Sequence, residues 1–155
     1  MTEVTIGKPI PAFAAASTHG DISLESLRGR HTVLYFYPKD NTPGCTTQGQ
    51  GFRDRHQEFA DAGCQIIGVS RDSLKSHANF TDKQNLPFAL IADPDEDLCQ
   101  LFKVMKMKNM YGKQVRGIER STFLIDKQGV LVQEWRGLRV PGHVDEVLKA
   151  VREQA

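Results

Sequence analysis

The segment His31-Thr32-Val33-Leu34-Tyr35-Phe36-Tyr37 constrains this chain most. It is a run of β-branched and aromatic residues with almost no polar alternation, and Pro38 stops it. A strand of that kind has no wet face and must be covered on both sides. Cys64-Gln65-Ile66-Ile67-Gly68-Val69-Ser70 is a second run of the same type. Residues 121–126 and 130–135 read as two more strands. The Lys127-Gln128-Gly129 turn between them makes a hairpin. Helical spacing fills the intervals at 46–62, 73–84, 95–102 and 144–152. The last has Val144, Val147, Leu148 and Val151 on one face. Three acids open the 95–102 helix, where they suit the positive end of its dipole. An extended segment at 12–24 predicts an N-terminal hairpin. The order predicts an α/β fold of thioredoxin-like layout, with a central mixed β-sheet flanked by helices and an N-terminal β-hairpin extension.

A chain of 155 residues is long enough for one core. It should bury about 70% of its unfolded surface without staples. We find no repeat, linker or low-complexity stretch, so a single domain over 1–155 is expected. Twenty Lys and Arg balance nineteen Asp and Glu, which gives no electrostatic footprint for nucleic acid. No apolar run approaches the roughly 20 residues of a membrane span. The N-terminus has neither the basic nor the apolar region of a secretory leader, so a reducing, cytoplasmic setting is expected. The three cysteines should rest there as thiols, and no CxxC pair spells a zinc or dithiol site. The five histidines show no ligand spacing, so no metal is expected.

The densest local pattern is Pro38-Lys39-Asp40-Asn41-Thr42-Pro43-Gly44-Cys45-Thr46-Thr47. A buried strand ends, a turn follows, and Pro43 fits the first turn of a helix because its missing N–H would have no partner there. Cys45 then lies in that first turn, where unpaired N–H groups and the helix dipole favour a thiolate. By position alone Cys45 serves equally as a small buried hydrophobe. Arg120 opens the strand at Ser121. If that strand lies beside the 31–37 strand, its guanidinium reaches Cys45 and holds negative charge there. Alone, Arg120 reads as a rim charge, Thr42 as a turn or cap residue, and Pro38 as a strand terminator.

Pro38, Thr42 and Cys45 at PxxxTxxC spacing, with Arg120 far downstream, resemble the active-site signature of the peroxiredoxins. The stretches Tyr35-Phe36-Tyr37-Pro38-Lys39-Asp40, Gly68-Val69-Ser70, Asn109-Met110-Tyr111-Gly112 and Glu119-Arg120-Ser121-Thr122-Phe123 are similar to the bacterioferritin-comigratory, or Q-type, branch. The likeness runs from about Gly7 to the final helix. It implies a thioredoxin fold and a thiol peroxidase acting on hydrogen peroxide and organic hydroperoxides. It implies no metal, flavin or haem, and a monomer. By the same likeness Cys45 is the peroxidatic nucleophile, Thr42 orients the peroxide, and Arg120 stabilises the departing oxygen. Backbone groups of Gly44 and Cys45 donate to the substrate, and Pro38 shields the sulfur.

A sulfenic acid needs a second thiol. Many relatives carry a resolving cysteine five residues on or on the following helix; those positions here are Gln50 and Thr81. Cys64 and Cys99 are the other thiols, and both read first as packing residues. A one-cysteine cycle is therefore expected, recycled by thioredoxin, glutaredoxin or a small thiol, with Cys99 or Cys64 as alternative resolving partners. Gly49 and Gly51 either loosen the first helix for opening or permit close packing. Residues 109–114 read as a loop near the site, and Met105, Met107 and Met110 as packing or surface residues. Two rivals differ in class: a cysteine hydrolase with His31 as base, and a non-catalytic thioredoxin-like redox adaptor.

Overall fold

A computed structural model describes residues 4–154. In chain order the elements begin with a hairpin of β1 (Ala14–Ser17) and β2 (Gly20–Ser23), then α1 (Leu24–Leu27) and β3 (His31–Phe36). Then come α2 (Pro43–Asp54), α3 (His56–Asp61), β4 (Cys64–Ser70), α4 (Leu74–Gln84), β5 (Ala89–Ala92) and α5 (Asp97–Leu101). A second hairpin, β6 (Met105–Met110) and β7 (Lys113–Ile118), precedes β8 (Ser121–Ile125), β9 (Leu131–Arg136) and α6 (His143–Gln154).

Seven strands form one sheet in the order β2-β1-β5-β4-β3-β8-β9. β3 pairs parallel with β4, and β4 with β5; β8 pairs antiparallel with β3, setting Ser121 opposite Phe36. The sheet is thus mixed, with the apolar runs β3 and β4 inside it. Because side chains alternate along a strand, β3 feeds two cores. Leu34 and Phe36 face Leu27 of α1 and Leu98 and Cys99 of α5. Val33, Tyr35 and Tyr37 face Cys45 and Phe52 of α2, Phe59, Phe80, and Val147 and Val151 of α6. Tyr35 stacks on Phe52 with ring centroids 4.6 Å apart. Its ring crosses β4 over Gly68, where any Cβ would lie 2.8 Å from Leu90 and 3.0 Å from the tyrosine.

The expected N-terminal hairpin, strands and closing helix are present. Two features differ. The helix expected over 46–62 is broken at Arg55, whose backbone (φ −102°, ψ 4°) divides α2 from α3. There the Arg55 guanidinium pairs with Glu58 and with Asp145 of α6. Residues 109–114 are not a loop: they are the end of the β6–β7 hairpin, which reverses at Tyr111 and Gly112, both at positive φ. This hairpin is a separate two-stranded sheet. It is fastened by Arg116 to Glu96, which also binds Arg71 at 3.1 Å.

Candidate active site

The site is built where β3 runs out. Tyr37 makes one more ladder bond, its N–H to the Val69 carbonyl, and Pro38 ends the pairing. The chain turns through residues 38–42, with Asn41 in the left-handed region at φ 64°. Thr42 is the N-cap of α2 and Pro43 follows in the first turn, which places Cys45 at the third helical position. The Cys45 side chain joins the core on the α2 side of the sheet and is 2% exposed.

Pairing of β8 with β3 brings Arg120 to the same end of the sheet, as its place before Ser121 requires. Arg120 Nη1 donates to Cys45 Sγ at 3.5 Å and to Gln48 Oε1 at 2.7 Å. Residue 44 must be small for this approach, since a Cβ on Gly44 would lie 3.1 Å from Arg120 Nη2. The guanidinium and the unpaired N–H groups of the first helical turn both stabilise negative charge on the sulfur. Thr42 does not cap its own helix; its hydroxyl donates to the Lys39 carbonyl at 2.7 Å. The hydroxyl proton is therefore committed, and the oxygen lone pairs remain to accept a hydrogen bond. Pro38 is half-buried at the hinge between strand and loop.

Gln48 is the residue that sequence reasoning missed. It is fully buried one helical turn after Cys45 and holds the guanidinium in place. Its spacing of three from Cys45 was the available signal, since such pairs share a helix face. Gln48 Nε2 and the Tyr35 hydroxyl are buried without a hydrogen-bond partner. Burial raises the Tyr35 phenol well above its ordinary range, and negative charge at Cys45 and Asp40 adds to this, so it stays neutral. Lys108 of β6 is pushed down by burial and by Arg120.

The other thiols lie elsewhere. Cys64 pairs with His31 at the start of β3. That is five residues from Phe36, or roughly 17 Å along a strand. Cys99 packs against the opposite face of the sheet. Bridging needs Cα atoms within about 7 Å, so neither meets Cys45 in this fold. Burial pushes the Cys64 thiol up to about 12 and raises Cys99 further, with Asp93 contributing. The same strand length separates His31 from Cys45, so the geometry of a cysteine hydrolase is not assembled.

Of the two glycines, Gly51 is a packing residue: a Cβ there would lie 3.0 Å from Val144 of α6. A Cβ on Gly49 would find ordinary contacts of 3.7–3.8 Å with Leu86, Phe80 and Tyr35. At position 50, Gln50 Nε2 donates to Gln84 Oε1 at 2.8 Å, and Arg53 donates to the Gln84 carbonyl, so polar bonds tie α2 to α4. A groove of about 640 Å³ runs beside the start of α2, between Pro43, Gly44 and Thr47 and the Val140–Pro141 turn. Asp40, Asp72 and His77 converge closely enough to hold a cation. Their facing atoms are engaged in hydrogen bonds to one another and to Tyr37, Ser70 and Ser76.

The AhpC/TSA family matches residues 6–134. Peroxiredoxin Bcp of Xanthomonas campestris is 50% identical over all of this chain and 99% of its own length. Peroxiredoxin Bcp of Bacillus subtilis is 46% identical over 98% of each chain. A structure of X. campestris peroxiredoxin Q superposes with a TM-score of 0.86 at 52% identity, covering 91% of this chain and 90% of that one. A cysteine-to-serine variant of Xylella fastidiosa PrxQ gives 0.92 at 40% identity over 99% of both.

Proposed function

The chain belongs to the AhpC/TSA family as a peroxiredoxin of the Bcp/PrxQ branch, a thiol-dependent peroxidase acting on hydroperoxides, and we propose that it works through Cys45 alone in a one-cysteine cycle. The observation that carries this reading is the Arg120 guanidinium set 3.5 Å from a sulfur at a helix start, beside a Thr42 oxygen with lone pairs to spare. The peroxide's terminal O–H donates to Thr42 Oγ1, which holds that same terminal oxygen toward the sulfur. The Cys45 thiolate attacks that oxygen, an S–O bond forms, and the O–O bond breaks. Sulfur loses two electrons to the peroxide and becomes a sulfenic acid. The departing alkoxide or hydroxide carries the negative charge, which Arg120 and the N–H groups of Gly44 and Cys45 stabilise until water protonates it. Pro38 limits access of bulk water to the sulfur.

An external thiol then attacks the sulfenic sulfur, releasing water and leaving a mixed disulfide. A second thiol displaces Cys45 as thiolate. Thioredoxin, glutaredoxin and small thiols all supply this chemistry, and a reducing cytoplasm suits it. The positions of Cys64 and Cys99, and the polar residues Gln50 and Thr81 where relatives carry a resolving cysteine, support this cycle over an internal disulfide. The groove beside Gly44 has room for the alkyl part of an organic hydroperoxide. One of the X. campestris structures is described in terms of alkyl peroxide reduction. The working unit proposed is a monomer of one domain.

Peroxide consumption with thioredoxin, glutaredoxin and glutathione systems compared side by side tests the reading. Turnover with at least one donor, abolished in Cys45→Ser, is expected. Peroxide consumption that survives Cys45→Ser would contradict it, as would a protein inert with every donor, the behaviour of a redox adaptor.

A further inference from the structure

Residues 38–42 carry Pro38 and Thr42 yet belong to no helix or strand. What holds them is Asp40, whose side chain is 1% exposed. The Tyr37 hydroxyl donates to Asp40 Oδ1 at 2.6 Å, and the Ser76 hydroxyl donates to Oδ2 at 2.8 Å. His77 Nδ1 lies 2.8 Å from the same Oδ2. The other imidazole nitrogen, Nε2, lies 2.9 Å from the Ile91 carbonyl of β5. A carbonyl only accepts, so Nε2 carries a hydrogen and the ring is fixed by β5. The Asp40 backbone N–H donates to Asp72 Oδ2 at 2.9 Å, and Asp72 is itself held by the Ser70 hydroxyl at 2.6 Å. Asp40 thus meets the end of β3, the turn before α4 and α4 directly, and is tied to the end of β4 through Asp72 and to β5 through His77.

A carboxylate is costly to bury without partners, and this one has a donor on each oxygen and an imidazole at its side. It also satisfies the buried Tyr37 hydroxyl and faces the buried His77 ring, so the loop is tied to polar groups of the core. The product of the arrangement is a fixed Asp40 two residues before Thr42.

We propose that Asp40, clamped by His77, Tyr37 and Ser76, is the positioning device of the peroxide-binding loop, setting where Thr42 Oγ1 stands relative to Cys45 Sγ. This rests on the peroxidase reading above. His77 and Asp40 are positioning residues: neither touches the sulfur, and they act through the backbone of residues 40–42. Misplacing a substrate-orienting group by about 1 Å costs up to about 100-fold in rate.

Two reactions of Cys45 separate positioning from other effects. Peroxide reduction needs both the sulfur anion and Thr42, whereas alkylation by iodoacetamide needs only the anion. The readout is therefore the ratio of the two rate constants at one pH, with the melting temperature recorded beside it. Thr42→Val sets the reference fall in the ratio. His77→Leu should lower the ratio about 10- to 100-fold, and His77→Asn, whose amide N–H offers Asp40 Oδ2 a donor where Nδ1 stands, should recover it to within about threefold. Should His77→Leu fail to fold, the double variant Tyr37→Phe, Ser76→Ala removes two donors with almost no change of shape and should lower the ratio about tenfold. A ratio within threefold of wild type in the folded variants, while Thr42→Val depresses it, would overturn the inference and leave the peroxidase reading intact. A wild-type protein inert to peroxide, or a Thr42→Val ratio equal to wild type, would overturn the reading and the inference with it.

Discussion

Removing the guanidinium tests how charge is handled at the sulfur. Arg120→Met keeps much of the stem and deletes the charge. The Nη1–Sγ separation is 3.5 Å. Two unit charges at that distance interact by about 5 kcal/mol at an effective dielectric of about 20. Arg120 is partly exposed, so solvent screening reduces this to about 3 kcal/mol. An attraction of the same size acts on the charge that develops on the departing oxygen, so its loss corresponds to a fall of about 100-fold in the second-order rate constant for hydrogen peroxide, close to the loss on deleting one oxyanion donor elsewhere. The variant also leaves Gln48 Oε1 without its 2.7 Å donor, so a modest drop in melting temperature accompanies it. Stopped-flow mixing with hydrogen peroxide, read by tryptophan fluorescence or by competition with a peroxide-sensitive probe, gives the rate constant. Alkylation of the same variant should fall less than peroxide reduction, because only the peroxide reaction develops charge on a leaving oxygen. A peroxide rate constant within threefold of wild type in a folded Arg120→Met protein would refute the reasoning.

Gly44→Ala puts a methyl 3.1 Å from Arg120 Nη2, so the guanidinium must retreat by a few tenths of an ångström; a several-fold loss of peroxide rate with little change in melting temperature is expected. Gly49→Ala has room for its methyl and should raise stability by up to about 1 kcal/mol while slowing recycling by a thiol more than peroxide reduction; Gly51→Ala, 3.0 Å from Val144, should lower the melting temperature. Arg116, aided by Arg71, holds Glu96 down at about 2 against an ordinary 4.5. A carboxylate depressed in the folded state contributes stability above its unfolded value and loses it as pH falls toward the folded one. The wild type should therefore shed stability between about pH 4.5 and 2 more steeply than Glu96→Gln, and equal slopes in acid denaturation would contradict the pairing.

The strands that carry the site were legible because burial on both faces leaves an unbroken apolar run. β3 and β4 are such runs, and Pro38 and Pro43 marked where the strand stops and the helix starts. That was enough to place Cys45 in the first turn of α2, whereas the approach of Arg120 depended on β8 lying beside β3, which the pairing of Ser121 with Phe36 supplies. The β6–β7 hairpin was not legible. Most of its residues are exposed, and the short Met105-Lys106-Met107-Lys108 alternation is built from weak strand formers and followed by a polar, glycine-containing stretch, so it gave little signal. Gln48 lay within reach of helical spacing, but a glutamine shows its role only once the guanidinium is placed. The Asp40–His77 contact joins residues 37 positions apart through a ring orientation that β5 fixes, and no local pattern encodes that. The separation of Cys45 from Cys64 and Cys99 was likewise a matter of strand register and sheet face.

Where one equivalent of oxidant goes decides most directly whether Cys45 is the reacting thiol and acts alone. Protein treated with equimolar hydrogen peroxide, trapped with dimedone and mapped by peptide mass spectrometry should carry the sulfenic adduct on Cys45, with Cys64 and Cys99 recovered as unmodified thiols. An intramolecular Cys45–Cys64 or Cys45–Cys99 disulfide in good yield would contradict the one-cysteine cycle. An adduct on Cys64 or Cys99 with Cys45 untouched would contradict the site itself.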